Sequence, residues 1–256
     1  MATANPSSNY TTALLPPPGP HATLLLPTRT IPSPIQNPAV FNDALAVRLE
    51  VFVDEQNCTA ELEIDEDDNR SWHWVLYDTH AQYSGSKSES PLKIPVAVVR
   101  LVPGPHTSHE DFVAAWEAKM NGDEVKGEKD ETAKYDFEHE PYVKLGRVCV
   151  LAGYRGCGLA RRLMEDAMRW AQANPGDIDR AFAEVVKQEQ GSGVDVDVDV
   201  DVDVDSLPKW KGLTLVHAQV DAAKMYGRLG FVTDEEFGSW TEEGIEHVGM
   251  WTRLDV

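Results

Sequence analysis

A chain of 256 residues, 42% of them hydrophobic, holds enough apolar material for one large domain or for one domain with insertions. Its formal net charge of −20 excludes the sequence-independent nucleic-acid binders, which work by neutralising phosphates. With no run near the roughly 18 apolar residues of a membrane span, no basic-then-apolar leader at the N-terminus, and three cysteines without metal-ligand spacing, the expected compartment is reducing, cytoplasm or nucleus.

Residues 1–20 are rich in Pro, Ser and Thr and are expected to be disordered. The run 22–30, with Leu24, Leu25 and Leu26, reads as the first strand. Asn37 and Pro38 read as an N-cap followed by proline at the first helical position. They open a helix through Phe41, Ala44, Leu45, Leu49 and Phe52 that ends near Glu55. Next comes an acidic run of Glu61, Glu63, Asp65, Glu66, Asp67 and Asp68. Most of its members read as a solvated loop, although like-charge repulsion can lift one carboxylate into the range of a general base.

Strands are expected at 72–77 and 94–102, the second with Pro95 near its start. Residues 103–140 look inserted, with a short helix around Phe112 to Met120 and a charged tract after it. A second insertion spans 177–210, after a helix stop at Asn174-Pro175-Gly176. It contains a Val-Asp repeat, 194–205, whose six aspartates would share one face of a strand, so it reads as a loop. The acidity is not confined to it, because the chain has 43 acidic residues. Beyond the repeat, a strand over 213–219, a short helix from Asp221 to Leu229 closed by Gly230, and strands from Phe231 and from His247 to Leu254 complete the pattern. The fold class is α/β, a mixed central β-sheet flanked by helices, in one domain over 21–256.

The most informative stretch runs from Tyr142 to Ala173. Val143, Leu145, Val148 and Val150 form a strand, Gly153 to Gly158 a glycine-rich turn, and Leu159, Ala160, Leu163, Met164, Ala167, Met168 and Ala171 one face of an amphipathic helix. A glycine turn before a helix N-terminus is a phosphate cradle: backbone N–H groups come close to an anion and the helix dipole adds to them. First turns favour acids, yet Arg155, Arg161 and Arg162 cluster here with no acid before Glu165. An external anion is one reading of that cluster; solvated arginines or arginines paired with remote carboxylates are the other. The spacing fits neither the Gly-x4-Gly-Lys loop nor Gly-x-Gly-x-x-Gly.

What stands here is Arg155-Gly156-Cys157-Gly158-Leu159-Ala160, which resembles the acetyl-CoA loop of the GNAT superfamily of N-acetyltransferases. Ala218-Gln219, Ala222, Tyr226, Gly230 and Phe231 resemble a second GNAT segment. Val51-Phe52-Val53, Glu55-Gln56-Asn57-Cys58, Asp65, Asp68, Gly146-Arg147-Val148 and Glu243-Gly244-Ile245 with His247 and Met250 resemble the ElaA-type branch. The matched blocks span roughly 48–251 without the insertions.

The resemblance implies a GNAT-like fold and acetyl-CoA as the acyl donor. Val148, Cys149 and Val150 are then expected to offer backbone groups to the pantetheine arm, a backbone N–H near Val150 to stabilise the oxyanion, and the amides of Gly156 to Ala160, with Arg155 beside them, to hold the pyrophosphate. Tyr226 is implied as the acid that protonates the leaving thiolate, a core tyrosine being the other account. Glu63, Asp65, His217 and His247 are candidates for the base, His247 being favoured because its strand follows the acyl site in the resembling proteins and imidazole suits neutral pH. Cys157 at a helix N-terminus could be reactive, but direct transfer is simpler than an acyl-cysteine. The expected activity is acetyl transfer to a primary amine of a small molecule. A non-catalytic acyl-CoA-binding module and a protein lysine acetyltransferase are the alternatives. Expected partners are acetyl-CoA and the amine, without nucleic acid, membrane or bound metal; a homodimer is left open.

Overall fold

In a computed structural model that describes residues 9–80, 93–121, 135, 139–191 and 206–256, the apolar runs become strands and the amphipathic ones helices, giving the expected α/β class. The chain divides into two compact units, 1–102 with 145–167 and 103–144 with 168–256. No helix among the described residues is long and apolar enough to cross a membrane.

In the first unit the strand order is β1 (Tyr10–Leu15), β2 (Trp72–Asp78), β3 (Ile94–Val102) and β4 (Val143–Val150). β1 lies within the stretch expected to be disordered. It pairs antiparallel with β2, from Tyr10 opposite Asp78 to Leu15 opposite His73. Thr and Leu residues of good strand propensity prevail there over the flanking prolines. The expected first strand at 22–30 is instead a loop. Asn37 does there what a partner strand would do: its side-chain amide accepts from Leu25 N–H and donates to Leu25 C=O, both at 2.8 Å. That use takes Asn37 away from capping, and Pro38 is the N-cap of α1 (Ala39–Arg48). The helix continues as a π-helical turn, Leu49–Glu55. β2 and β3 are antiparallel with a register shift between Leu76 and Tyr77, facing Pro95, which has no N–H to give to the ladder.

α1 covers one face of these strands. Ala44, Val47 and Val51 pack against Val75, Tyr77, Val98 and Cys149. α3 (Leu159–Ala173) buries Leu159, Leu163, Met164 and Ala167. It is tied to β1 by Arg162, which donates to Tyr10 C=O at 3.3 Å.

In the second unit β8 (Ile245–Arg253) pairs with β5 (Leu213–Gln219) on one edge and with β6 (Val232–Thr233) and β7 (Ser239–Glu242) on the other, always antiparallel. Glu243 and Gly244, at φ 47° and 82°, form the two-residue turn between β7 and β8, as a hairpin of the I′ kind requires. α2 (His109–Asn121) contains the short helix expected around Phe112. The helix stop expected at Asn174-Pro175-Gly176 is there, α3 ending at Ala173, but the residues after it are not all a loop: α4 (Pro175–Gly191) has proline at its first position, where no N–H is needed, and buries Ile178, Phe182, Val185 and Val186 at helical spacing. α5 (Ala223–Gly227) follows β5 through a 3-10 turn. The Val-Asp repeat and most of the charged tract after α2 lie outside the described residues.

Candidate functional site

In the first unit β4 leads into the glycine turn through a 3-10 turn, Ala152–Tyr154. Gly156 and Gly158 stand at φ 76° and 75°, and open space lies where a Cβ would be on either. Left-handed backbone is nearly free for glycine and costs other residues about 1–2 kcal/mol. α3 begins at once, with no acid in its first turn. Its first N–H groups have no carbonyl within the helix to bond and carry the positive end of the dipole. Leu159 is buried and anchors the turn, Ala160 is half-buried, and Cys157 is exposed at the tip.

The arginines do not stand free to take an anion. Arg155 Nε donates to Val150 C=O at 2.9 Å and its Nη2 pairs with Glu55 at 2.5 Å. Arg161 pairs with Glu165 one turn on at 2.7 Å, and Arg162 is the residue bound to Tyr10. The anion reading therefore rests on the backbone and the dipole, not on guanidinium charge. The same contact engages Val150 C=O, one of the backbone groups expected to serve pantetheine. Val148 and Cys149 precede it in β4; the Cys149 side chain is buried against α1. Burial pushes its thiol up to about 12, so it is no nucleophile near neutral pH.

The acidic run is not solvated throughout. Glu63 and Asp68 are buried at 2% and 0% exposure. Arg48, the last residue of α1, donates to Glu63 at 3.1 Å and to Asp68 at 2.9 Å. Arg100 on β3 donates to Asp65 at 2.6 Å and Asp68 at 3.0 Å. Arg147, in β4 at φ 50°, reaches Asp65 and Leu62 C=O, both at 3.0 Å. Three cations thus face three carboxylates. Burial raises the Asp65 carboxyl, but Arg100 and Arg147 outweigh it and hold it below the usual range. A carboxylate spent on two guanidiniums is a poor proton acceptor, and Asp65 is placed as a structural ion.

In the second unit the chemistry gathers on one face of β5, β8 and β7. His217 lies opposite Gly249 in register, Gln219 opposite His247, and His247 opposite Trp240; paired residues share a face. Gly249 is required there, because a Cβ would run into the Phe237 ring. His109 of α2 stacks on Phe237 with centroids 4.1 Å apart, and Phe112 lies 5.0 Å from the His217 ring. Glu242 accepts from Trp240 Nε1 at 2.6 Å and stands 3.5 Å from His217 Nδ1. His247 donates from Nδ1 to Ile245 C=O at 2.9 Å and is buried beside Trp240.

Tyr226 is buried on α5, edge-on to Phe231 at 6.0 Å. Its carbonyl accepts from both Leu229 and Phe231 N–H, in the turn that Gly230 closes at φ 91°. Sequence reasoning named His217 and His247 but missed Glu242, Trp240, Phe237 and His109. The Glu243-Gly244 turn between two alternating runs was the signal that could have paired Glu242's strand with His247's.

Residues 95–192, which include the cradle, match the family model of the Acetyltransferase (GNAT) family. The match takes in less than half of the chain and marks this segment as similar to acetyltransferases of the GNAT family. Solved structures with a similar fold include a protein from Lactobacillus plantarum assigned as an N-acetyltransferase, at 18% identity and TM-score 0.47 over 96% of this chain and 98% of that one. They also include an acyl-CoA N-acyltransferase from Pseudomonas aeruginosa, at 19% and 0.43 over 94% and 98%, and ElaA from Escherichia coli, at 18% and 0.42 over 95% and 99%. No curated protein matches the chain.

Proposed function

We propose that this protein is an acetyl-CoA-dependent N-acetyltransferase that modifies the primary amine of a small molecule, and that the amine attacks the thioester directly. The observation that carries the reading is the pair of positive-φ glycines, Gly156 and Gly158, opening onto the N-terminus of α3. Acetyl-CoA supplies the activated acetyl group. The amides from Gly156 to Ala160 hold its pyrophosphate, and Val148 and Cys149 of β4 give their backbone groups to the pantetheine arm. Direct attack is the simpler course, and Cys149 offers no alternative nucleophile, its thiol being buried and held in its neutral form.

Tyr226 is the residue proposed to return a proton to the leaving sulfur, its place on the short helix between β5 and Gly230 being the one the GNAT resemblance implies. The aromatic rings of Phe112 and Trp240 beside His217, with Phe237 stacked on the neighbouring His109, favour a compact amine over an extended peptide. Three free cysteines fit a reducing compartment, cytoplasm or nucleus.

The test is release of CoA thiol from acetyl-CoA in the presence of polyamines, amino sugars, aromatic amines and Lys-containing peptides. Release with one class of small amine is the expected result. Release with the peptides alone would move the assignment to protein acetylation, and silence with a retained thermal response to acetyl-CoA would leave a binding module.

A further inference from the structure

We infer that His217, oriented by Glu242, is the general base that takes the proton from the incoming ammonium, a role that rests on the acetyl-transfer reading above. The other candidates are already engaged. Glu63 is closed in with Arg48, and Asp65 is shared by Arg100 and Arg147. His247, the sequence favourite, has Nδ1 on Ile245 C=O, and Glu242 acts on it only as a nearby charge.

His217 differs in having a carboxylate toward one nitrogen and, among the described residues, no hydrogen-bond partner on the other. Glu242 Oε1, itself fixed at 2.6 Å by Trp240 Nε1, faces His217 Nδ1 at 3.5 Å. With its proton on Nδ1, toward Glu242, the neutral ring leaves the Nε2 lone pair without a hydrogen-bond partner among the described residues. The side chain keeps 17% of its surface exposed. Around it stand aromatic faces, Phe112 at 5.0 Å and Trp240 at 4.8 Å. A carboxylate on Nδ1 with a bare Nε2 is the arrangement that makes imidazole a directed base.

The groups facing the ring are Glu242 from β7, Lys144 from β4 and His109 from α2, with His247 on the same face of β8. Burial and Lys144 favour the neutral ring and Glu242 opposes them, leaving His217 lowered to about 4. Glu242 is lowered to about 2: burial raises it, and the hydrogen bond from His217 outweighs that. Near neutral pH the pair is thus carboxylate and neutral imidazole.

An ammonium becoming an amide sheds two protons. His217 Nε2 accepts the first and passes it to water, freeing the nitrogen lone pair to form the C–N bond. The second leaves the nitrogen as the C–S bond breaks and replaces the proton that Tyr226 delivers to the sulfur, so one proton in all goes to water and the tyrosine ends as it began. Charge and atoms balance with no further reactant.

The test combines two readouts on the full chain. With 15N-histidine labelling, and His217 assigned by its absence in His217→Gln, the Nδ1–H tautomer is expected at pH 7, shifting in Glu242→Gln. A ring protonated on Nε2, or one indifferent to Glu242→Gln, overturns the assignment without any substrate. Spermidine, glucosamine, tyramine and a Lys-containing peptide serve as amine probes in the thiol assay. His217→Gln is expected to keep its thermal response to acetyl-CoA and to lose about 100-fold in kcat. An unchanged kcat sinks the base. Thiol release absent even from the unmutated protein brings down the acetyl-transfer reading itself, and the base with it.

Discussion

Arg48 and Asp68 face each other across 2.9 Å, and neither side chain touches solvent. Burying one unpaired ion costs several kcal/mol, so each needs the other, and Glu63 and Arg100 extend the exchange of charge. Arg48→Met leaves Glu63 without its cation and Asp68 with only part of its own. A loss of about 3–5 kcal/mol is expected, read as a lower urea midpoint by the fluorescence of Trp72 and Trp74. A variant as stable as the parent would show that Arg100 and Arg147 alone neutralise the cluster.

His73 lies on the same cluster, its Nε2 3.2 Å from Asp68 C=O. Burial drives this ring down to about 4, against the pull of Asp68. The unfolded chain therefore takes up the proton near its ordinary value of 6.5, before the folded chain does, and stability rises with pH across that interval. As pH falls from about 6.5 to about 4, unfolding should become easier by up to about 1.4 kcal/mol per pH unit for this one group. Asp68, held far below its ordinary 3.8, adds a loss in the same direction at lower pH still. Urea titrations at pH 5 and 7 measure the slope, and His73→Gln should flatten it; an equal slope in that variant assigns the proton elsewhere.

These buried ions also mark where the sequence was opaque. Arg48, Asp68, Arg100 and Arg147 are brought together by long-range pairing, and an acidic run carries no sign that arginines on α1, β3 and β4 will meet it. α3 and its glycine turn were legible because their signal is local: helical periodicity, glycine spacing and the absence of first-turn acids all sit within twenty residues. β1 was hidden by a local signal of the opposite sense, prolines beside a strand that exists only because β2 offers an edge. His217 could be named by type, but its carboxylate lies on a strand folded back by the Glu243-Gly244 turn, so the dyad is a product of tertiary structure.

Gly158 tests the cradle. At φ 75° with open space at its Cβ position, Gly158→Val sets a β-branched side chain in left-handed backbone, at about 1–2 kcal/mol, and places its methyls in the cradle. The fold should persist by far-UV circular dichroism, while the rise in Tm that acetyl-CoA gives the parent should vanish. Retention of that rise would mean that the anion sits elsewhere.

Tyr226→Phe separates catalysis from packing. The hydroxyl is the only group removed, and the ring keeps its edge-on contact with Phe231 at 6.0 Å, so acetyl-CoA should still raise the Tm by its full amount. If the phenol delivers the proton to the departing sulfur, kcat should fall by about 100-fold, the lower end of what a positioned acid contributes, with the KM for acetyl-CoA little changed. A variant that is merely less stable, turning over at the parent's rate below its own Tm, would make Tyr226 a core residue and leave the thiolate to take its proton from water.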